Sequence, residues 1–285
     1  MDYTLLKSNN KIPKFGIGTW GLGENEEKKE KEIRSIVFAL NNGVRLIDTA
    51  EMYGNGEAEI IIGEALKTVD INRDEIFIVS KVYPHNAGRN KIFDSLKESL
   101  KRLGLDYLDM YLLHWRGRIP LSETVECMEE AKKEGLIKDW GVSNFDTDDM
   151  KELELLKDGD KCVLNQVLYY LGSRGVEFDL APYMKERNIA LMAYCPLGRA
   201  GELSKNIFRN NMVLEIAKKH NASAAQIALA FIMQVANYIP IPKSVSRRRL
   251  SENILSQNIA LTDEDIEMLN KEFPKPDKKI PLDIV

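Results

Sequence analysis

Cysteine is scarce in this chain. Cys127, Cys162 and Cys195 are an odd three at wide spacing with no C-x-x-C pair, so neither a disulfide framework nor a zinc site is indicated, and no metal is expected. Long apolar runs are missing too. Nothing approaches the roughly eighteen residues a membrane span needs, and Met1-Asp2-Tyr3-Thr4 lacks the basic-then-apolar pattern of a secretory leader. Basic surplus is absent: 40 Lys and Arg stand against 44 Asp and Glu, a net charge of -4, which gives no electrostatic reason to expect a nucleic-acid or anionic-membrane partner. Linkers, low-complexity tracts and obvious repeats are absent as well. These absences lead to an expectation of one domain over 1–285, cytoplasmic, a monomer or weak oligomer, acting on a small molecule.

What is present is alternation. Strand candidates are Phe15 to Thr19, Val44 to Ile47, Ile76 to Val79, Leu108 to Leu113, Lys138 to Val142, Val163 to Gln166, Ala190 to Tyr194 and Tyr238 to Ile241. Between them lie segments with helical periodicity. Ile33, Ile36, Val37 and Leu40 recur at three- and four-residue steps, as do Ile92, Leu96, Leu100 and Leu103, the latter ending beside Gly104 as a C-cap. Thr147 precedes Asp148 and Asp149 as an N-cap before an acidic turn. Two helical stretches, Ile207 to His220 and Ser223 to Ala236, separate the seventh and eighth strands, and a last helix, Asp263 to Glu272, follows the eighth. Tyr3 to Pro13 reads as a hairpin that could plug a barrel floor. Eight strands alternating with helices suggest an α/β fold, a (β/α)8 TIM barrel of about 250 residues plus an N-terminal β-hairpin and extra helices after strand 7 and at the C-terminus.

Asp48, Tyr53, Lys81 and His114 each fall at or just past one of these runs. Parallel strands would bring all four to one rim, where barrel enzymes keep their chemistry. The four types suit a carbonyl. A hydride arriving at carbon leaves negative charge on oxygen, so a proton donor must stand within hydrogen-bond reach. Tyr53 can be that donor: its phenol, with an ordinary pKa of about 10, would be acidified by the Lys81 ammonium, Asp48 would hold the lysine charged, and His114 would orient the oxygen.

Gly16-Ile17-Gly18-Thr19-Trp20-Gly21 matches the dinucleotide fingerprint G-x-G-x-x-G letter by letter. Its mechanism needs the last glycine inside a newly opened helix, and Leu22-Gly23-Glu24-Asn25 continues as loop, so a Rossmann reading is rejected.

The strings Asp48-Thr49-Ala50-Glu51-Met52-Tyr53-Gly54-Asn55, Ser80-Lys81-Val82, Leu112-Leu113-His114-Trp115, Gly141-Val142-Ser143-Asn144-Phe145, Tyr194-Cys195-Pro196-Leu197-Gly198 and Ile241-Pro242-Lys243-Ser244, in this order, resemble the aldo-keto reductase family, in a prokaryotic form. The resemblance implies a (β/α)8 barrel that binds NADP(H) without a Rossmann fold and reduces aldehydes or ketones, dicarbonyls such as ketoaldehydes included. It implies that Asp48, Tyr53, Lys81 and His114 are catalytic. For the cofactor it implies Gly18, Thr19, Trp20 and Asp48 beside the nicotinamide, Ser143, Asn144 and Gln166 on its carboxamide and Tyr194 stacked on its face. Pro196, Leu197 and Gly198 follow, then Lys243, Ser244, Val245, Arg249, Glu252 and Asn253 at the adenosine phosphate. Where the family commonly has Thr-Pro before its arginine, Ser246-Arg247-Arg248 stands here, leaving open which arginine dominates.

Trp20, Tyr53, Tyr83, His114 and Trp115 would form an aromatic substrate mouth, left open by the short loop Arg116 to Leu121 and the short tail after Pro274. Cys195 beside Tyr194 reads as an apolar filler rather than a redox thiol. Two other readings stand beside the reductase: a non-catalytic NADP(H)-binding subunit, and a barrel lyase using Lys81 as a Schiff-base nucleophile.

Overall fold

The hairpin is the first element along the chain. Strands β1 (Tyr3–Leu5) and β2 (Lys11–Pro13) pair antiparallel, and Asn9, at φ 69, takes the left-handed turn position that Asn tolerates. In this computed structural model, which describes residues 2–198, 207–235 and 237–284, the hairpin buries Leu6 and Ile12. Both join Leu46, Phe77, Met110, Leu164 and Ile239, residues at or near the starts of barrel strands, in one apolar cluster. The floor is therefore plugged, as expected. Ser8 Oγ and Asn10 Nδ2 each donate to the buried Asp139 carboxylate at 2.7 Å and fasten the turn.

The barrel follows in chain order: β3 (Ile17–Gly18), α1 (Lys29–Asn41), β4 (Leu46–Asp48), α2 (Glu57–Leu66), β5 (Phe77–Val82), α3 (Ile92–Leu103), β6 (Leu108–Leu113) and α4 (Leu121–Lys133). It continues with β7 (Ile137–Ser143), α5 (Thr147–Glu154), β8 (Leu164–Leu168), α6 (Leu180–Glu186), β9 (Ala190–Tyr194), α7 (Asn211–Lys219), α8 (Ala224–Gln234), β10 (Ile239–Pro240), α9 (Arg247–Leu255) and α10 (Asp263–Glu272). Eight strands, β3 to β10, lie side by side in sequence order, all parallel. Backbone bonds from Gly16 N to Pro240 O (3.1 Å) and Gly18 N to Pro242 O (3.3 Å) span the seam between first and last. A Cβ on Gly18 would come within 2.9 Å of the Ile241 carbonyl, so the seam requires a residue without one.

Local signals explain most boundaries. Gly104, at φ 67, ends α3 as the C-cap, and Thr262 begins α10 with a capping box to Asp265. Several strands differ by a residue or two at their ends from the expected bounds, and two helical expectations are corrected. The cap of α5 is Asp146, whose carboxylate accepts from both Asp148 N and Asp149 N, while Thr147 is the first helical residue. The stretch from Ile207 to His220 is not one helix either: Asn210 (φ -67, ψ 125) leaves helical geometry and caps α7 with its own side chain. Ala236, expected as the end of the next helix, lies outside the described residues. Among the described residues no helix is long and apolar enough to cross a membrane.

Because Ile12 is fully buried in the floor cluster, Ile12→Ala should lower unfolding free energy by about 2–5 kcal/mol, read by urea denaturation. Turnover at the far rim should be nearly unaffected in the remaining folded protein.

Candidate active site

Three strand ends and one turn build the centre of the site. Asp48 is the last residue of β4, Lys81 points inward from β5, and His114 follows β6 with its amide bonded to Val82 O at 3.1 Å. Tyr53 opens a 3-10 turn (Tyr53–Gly56) in which Gly54, Asn55 and Gly56 take positive φ values of 57, 54 and 95. This short left-handed run folds the chain back at once into α2, and it leaves the phenol over the strand ends.

The sequence-predicted quartet converges. Lys81 Nζ donates to the Asp48 carboxylate (2.8 Å), to Thr49 O (2.8 Å) and to the Tyr53 hydroxyl (3.1 Å), which uses all three of its hydrogens. Lys81 is fully buried and Asp48 nearly so. Burial pushes the Asp48 carboxyl up and the Lys81 ammonium down, and each partner's charge pulls the other way. At 2.8 Å in a dry interior that mutual attraction keeps the pair ionised, since a lone charge there would cost several kcal/mol.

One expectation is reversed. The resting phenol of Tyr53 is not acidified: burial first, and the Asp48 charge second, hold it well above its ordinary value. It is a firmly protonated donor. Because Lys81 donates into its oxygen, the phenol's own hydrogen is left to point into the cleft, and the ammonium's stabilising effect is felt by the phenolate once the proton has gone. The His114 ring lies edge-on to the Tyr53 ring, centroids 5.7 Å apart, and its Nδ1 is buried with no hydrogen-bond partner among the described residues. Burial, and then the Lys81 charge, push His114 down to about 2. The imidazole is therefore neutral near neutral pH, with one ring N–H to offer.

A cleft of about 1380 Å³ opens above these groups. Gly18, Trp20, Asp48, Tyr53, His114 and Trp115 line it, and Arg116, Asp149, Met52 and Ile284 also contribute. Ser143, Asn144, Gln166 and Tyr194 form the middle, and Pro196, Leu197 and Gly198 continue the wall. Lys243, beside Gly21, lines it too, with Ser244, Arg249, Glu252 and Asn253. Four expected residues do not line it. Lys81 lies beneath Tyr53, and Thr19 is fully buried with its hydroxyl donating to Asp48 O at 2.9 Å. Val245 packs against the core. Tyr83 stands behind Trp115, edge-on at 5.8 Å, rather than in the mouth.

The middle is a fixed polar frame. Asn144, at φ 57, gives its two amide hydrogens to His114 O (3.1 Å) and Ser143 Oγ (3.2 Å), while its Oδ1 accepts from the Tyr194 hydroxyl at 2.8 Å. Ser143 Oγ donates to Gln166 O, and Gln166 Nε2 to the Asp48 carboxylate at 2.7 Å. The three arginines of α9 divide. Arg247 leans on the Phe38 ring and Arg248 pairs with Glu252 at 3.0 Å, whereas Arg249 has no ion pair or hydrogen bond among the described residues. Arg249 lies in the first turn of α9, whose cap Ser246 makes no side-chain bond to the helix N–H groups.

Several lining residues were not foreseen. Ser223 to Ala225 bring the start of α8 to the cleft, and a capping-box signal, Ser223 with Gln226, was there to be read. The tail also reaches the cleft, although Ile284 itself stays exposed there. Lys279 bridges Asp148 (3.0 Å) and Asp179 (3.5 Å), Asp283 accepts from Ser173, and Ile284 becomes part of the wall. No spacing or periodicity in so short a segment announces that path.

The aldo/keto reductase family model matches residues 14–272. The chain belongs to the aldo/keto reductase family. Membership carries the reaction class, reduction of an aldehyde or ketone to an alcohol. Among its relatives is methylglyoxal reductase YeaE of Escherichia coli (strain K12), 43% identical over 96% of this chain and 95% of that protein. The glyoxal reductase of Bacillus subtilis (strain 168) is 35% identical over 97% of each. An aldo-keto reductase from Klebsiella pneumoniae solved in complex with NADPH superposes with a TM-score of 0.94 at 41% identity, covering 99% of both chains.

The neutral His114 has a thermodynamic consequence. Unfolded, its imidazole takes up a proton as pH falls through the ordinary 6.5; folded, it does not until about 2. This contribution to stability is flat above pH 6.5 and is lost below it, at up to about 1.4 kcal/mol per pH unit. Urea unfolding between pH 7.5 and 5 should show a shallower acid loss for His114→Gln than for the wild type; parallel curves would contradict the assignment.

Proposed function

We propose that this protein reduces small aldehydes and 2-ketoaldehydes with NADPH, Tyr53 giving the proton. The observation that carries the reading is the buried Asp48–Lys81–Tyr53 chain at 2.8 and 3.1 Å, with its phenol lining the cleft. NADPH, when bound, supplies the hydride. Tyr53 donates its hydrogen to the carbonyl oxygen as negative charge develops there, and the Lys81 ammonium stabilises the phenolate left behind. Asp48 keeps the lysine charged and aimed. Neutral His114 donates a hydrogen bond to the same oxygen and so sets its direction.

The donor set fits the cofactor. Ser143, Asn144 and Gln166 offer an amide-recognising frame held in place before binding, with Tyr194 beside it as a flat surface. Lys243, Ser244, Arg249 and Asn253 suit the adenosine phosphate, and of the three arginines Arg249 is the one left for it. Two tryptophans, Trp20 and Trp115, narrow the substrate end toward small planar carbonyls, in keeping with the methylglyoxal and glyoxal reductases among the relatives. All of these groups come from one chain, so the chemistry needs no second copy, and a monomer or weak oligomer suffices. The buried thiols of Cys127 and Cys162 suit a reducing cytoplasm. A Schiff-base role for Lys81 is disfavoured, because its ammonium is fully buried and spends every hydrogen inside the protein.

Consumption of NADPH, read at its absorbance maximum over aldehydes, ketones and dicarbonyls, tests the class directly. Tyr53→Phe should lose about a hundredfold or more of kcat while NADPH still binds; unchanged turnover would remove Tyr53 as the donor. Arg249→Leu should weaken NADPH binding by roughly ten- to a hundredfold, the scale of a lost charge-assisted contact, with NADH little affected. Equal losses for both cofactors in fluorescence titrations would show that Arg249 does not read the extra phosphate.

A further inference from the structure

On the helix side of the barrel wall, behind the strand that carries Lys81, lies a buried charged cluster that the reaction itself does not use. Glu59, on α2, is fully buried. One of its carboxylate oxygens accepts from Ser80 Oγ at 2.5 Å and the other from Arg102 Nε at 2.7 Å. Arg102, on α3, also donates to Ser99 Oγ at 3.1 Å. A buried ion pair of this kind adds little net stability over well-packed apolar side chains, but it commits each partner to one position.

Those positions bear on the site. Ser80 immediately precedes Lys81 on β5, and successive strand side chains point to opposite faces, so Ser80 faces the helices while Lys81 faces the interior. The turn that holds Tyr53 leads through the left-handed Gly54, Asn55 and Gly56 directly into α2, so only this tight bend separates Tyr53 from the helix that carries Glu59. Arg102 closes the arrangement by lying across Gly56, where a Cβ would come within 2.7 Å of its Cδ. At Gly63 the helices α2 and α3 approach so closely that a Cβ would meet the Arg102 carbonyl at 2.6 Å. One carboxylate thus ties the strand behind Lys81 to the segment that carries Tyr53.

We propose that Glu59, clamped by Ser80 and Arg102, is a positioning residue that sets the 3.1 Å contact between Lys81 Nζ and the Tyr53 hydroxyl from outside the barrel wall. The inference rests on the reading of Tyr53 as proton donor. Glu59 also favours the charged lysine across the strand, which works in the same direction. A few tenths of an ångström at this contact slow proton transfer without reshaping the cleft, so the loss falls on kcat and spares binding.

The test is steady-state kinetics of Glu59→Gln and Ser80→Ala with NADPH and methylglyoxal, together with NADPH titration and kcat in heavy water. Glu59→Gln should lower kcat by about tenfold or more, leave the carbonyl KM and the NADPH Kd within about threefold, and raise the solvent isotope effect as proton transfer becomes more limiting. Ser80→Ala keeps the charge pair and should show the same signature at several-fold loss. Wild-type kcat in both variants overturns the proposal. So does a loss shared evenly among kcat, KM and Kd with an unmoved isotope effect, which is what general loosening of the fold produces. If Glu59→Gln does not fold, Ser80→Ala decides by the same criteria. A wild-type protein that consumes no NADPH with any carbonyl overturns the proposed function itself, and this inference with it.

Discussion

The contact on which the rest depends is the ion pair between Asp48 and Lys81 beneath the Tyr53 hydroxyl. Two opposite charges sit where water does not reach, and neither is tolerable without the other. That requirement fixes the neighbouring architecture. Strands β4 and β5 must be adjacent, with Asp48 opposite Val79, so that the lysine two residues further along can reach back over the carboxylate. Gln166 must reach Asp48 from β8 across the barrel, which a closed sheet allows and an open one of the same strand order would not.

Around this pair the polar groups of the cleft are bound to one another before any ligand arrives. Ser143, Asn144, Gln166 and Tyr194 form a connected set from three different segments, and the left-handed backbone at Asn144 is what lets its amide join it. Orientation in such a set is settled at folding, so binding need not order loose side chains. The arginines follow a different logic: Arg247 leans on Phe38, Arg248 lines the cleft but makes an exposed pair with Glu252, and Arg249 lines the cleft with no ion pair among the described residues.

Local chemistry made much of this legible in the sequence. β-branched runs at regular spacing located the strands, Gly104 the end of α3, and the loop after Gly21 rightly argued against a nucleotide-binding helix there. Convergence of Asp48, Tyr53, Lys81 and His114 followed from strand ends sharing one rim. What escaped depends on distant parts of the chain. Asp146 outcompeted Thr147 as a cap because its carboxylate reaches two amides at once. Asn210 interrupts a segment whose apolar periodicity is otherwise unbroken. Tyr83 was displaced by its packing on Trp115, and Ile284 reached the cleft through ion pairs of Lys279 that no pattern in the tail reveals. The phenol's raised pKa is likewise a product of burial, which a list of neighbouring residue types does not supply.

The three hydrogen bonds of Lys81 have a chemical consequence of their own. Dicarbonyls condense with primary amines, so a catalyst offered such molecules as substrates faces covalent damage from them. Condensation needs a nitrogen lone pair and room for the attacking carbon, and this amine has neither while its proton set is fully engaged under the tyrosine ring. The same burial therefore shields Lys81 from carbonyl adducts and leaves their formation to the solvent-facing lysines.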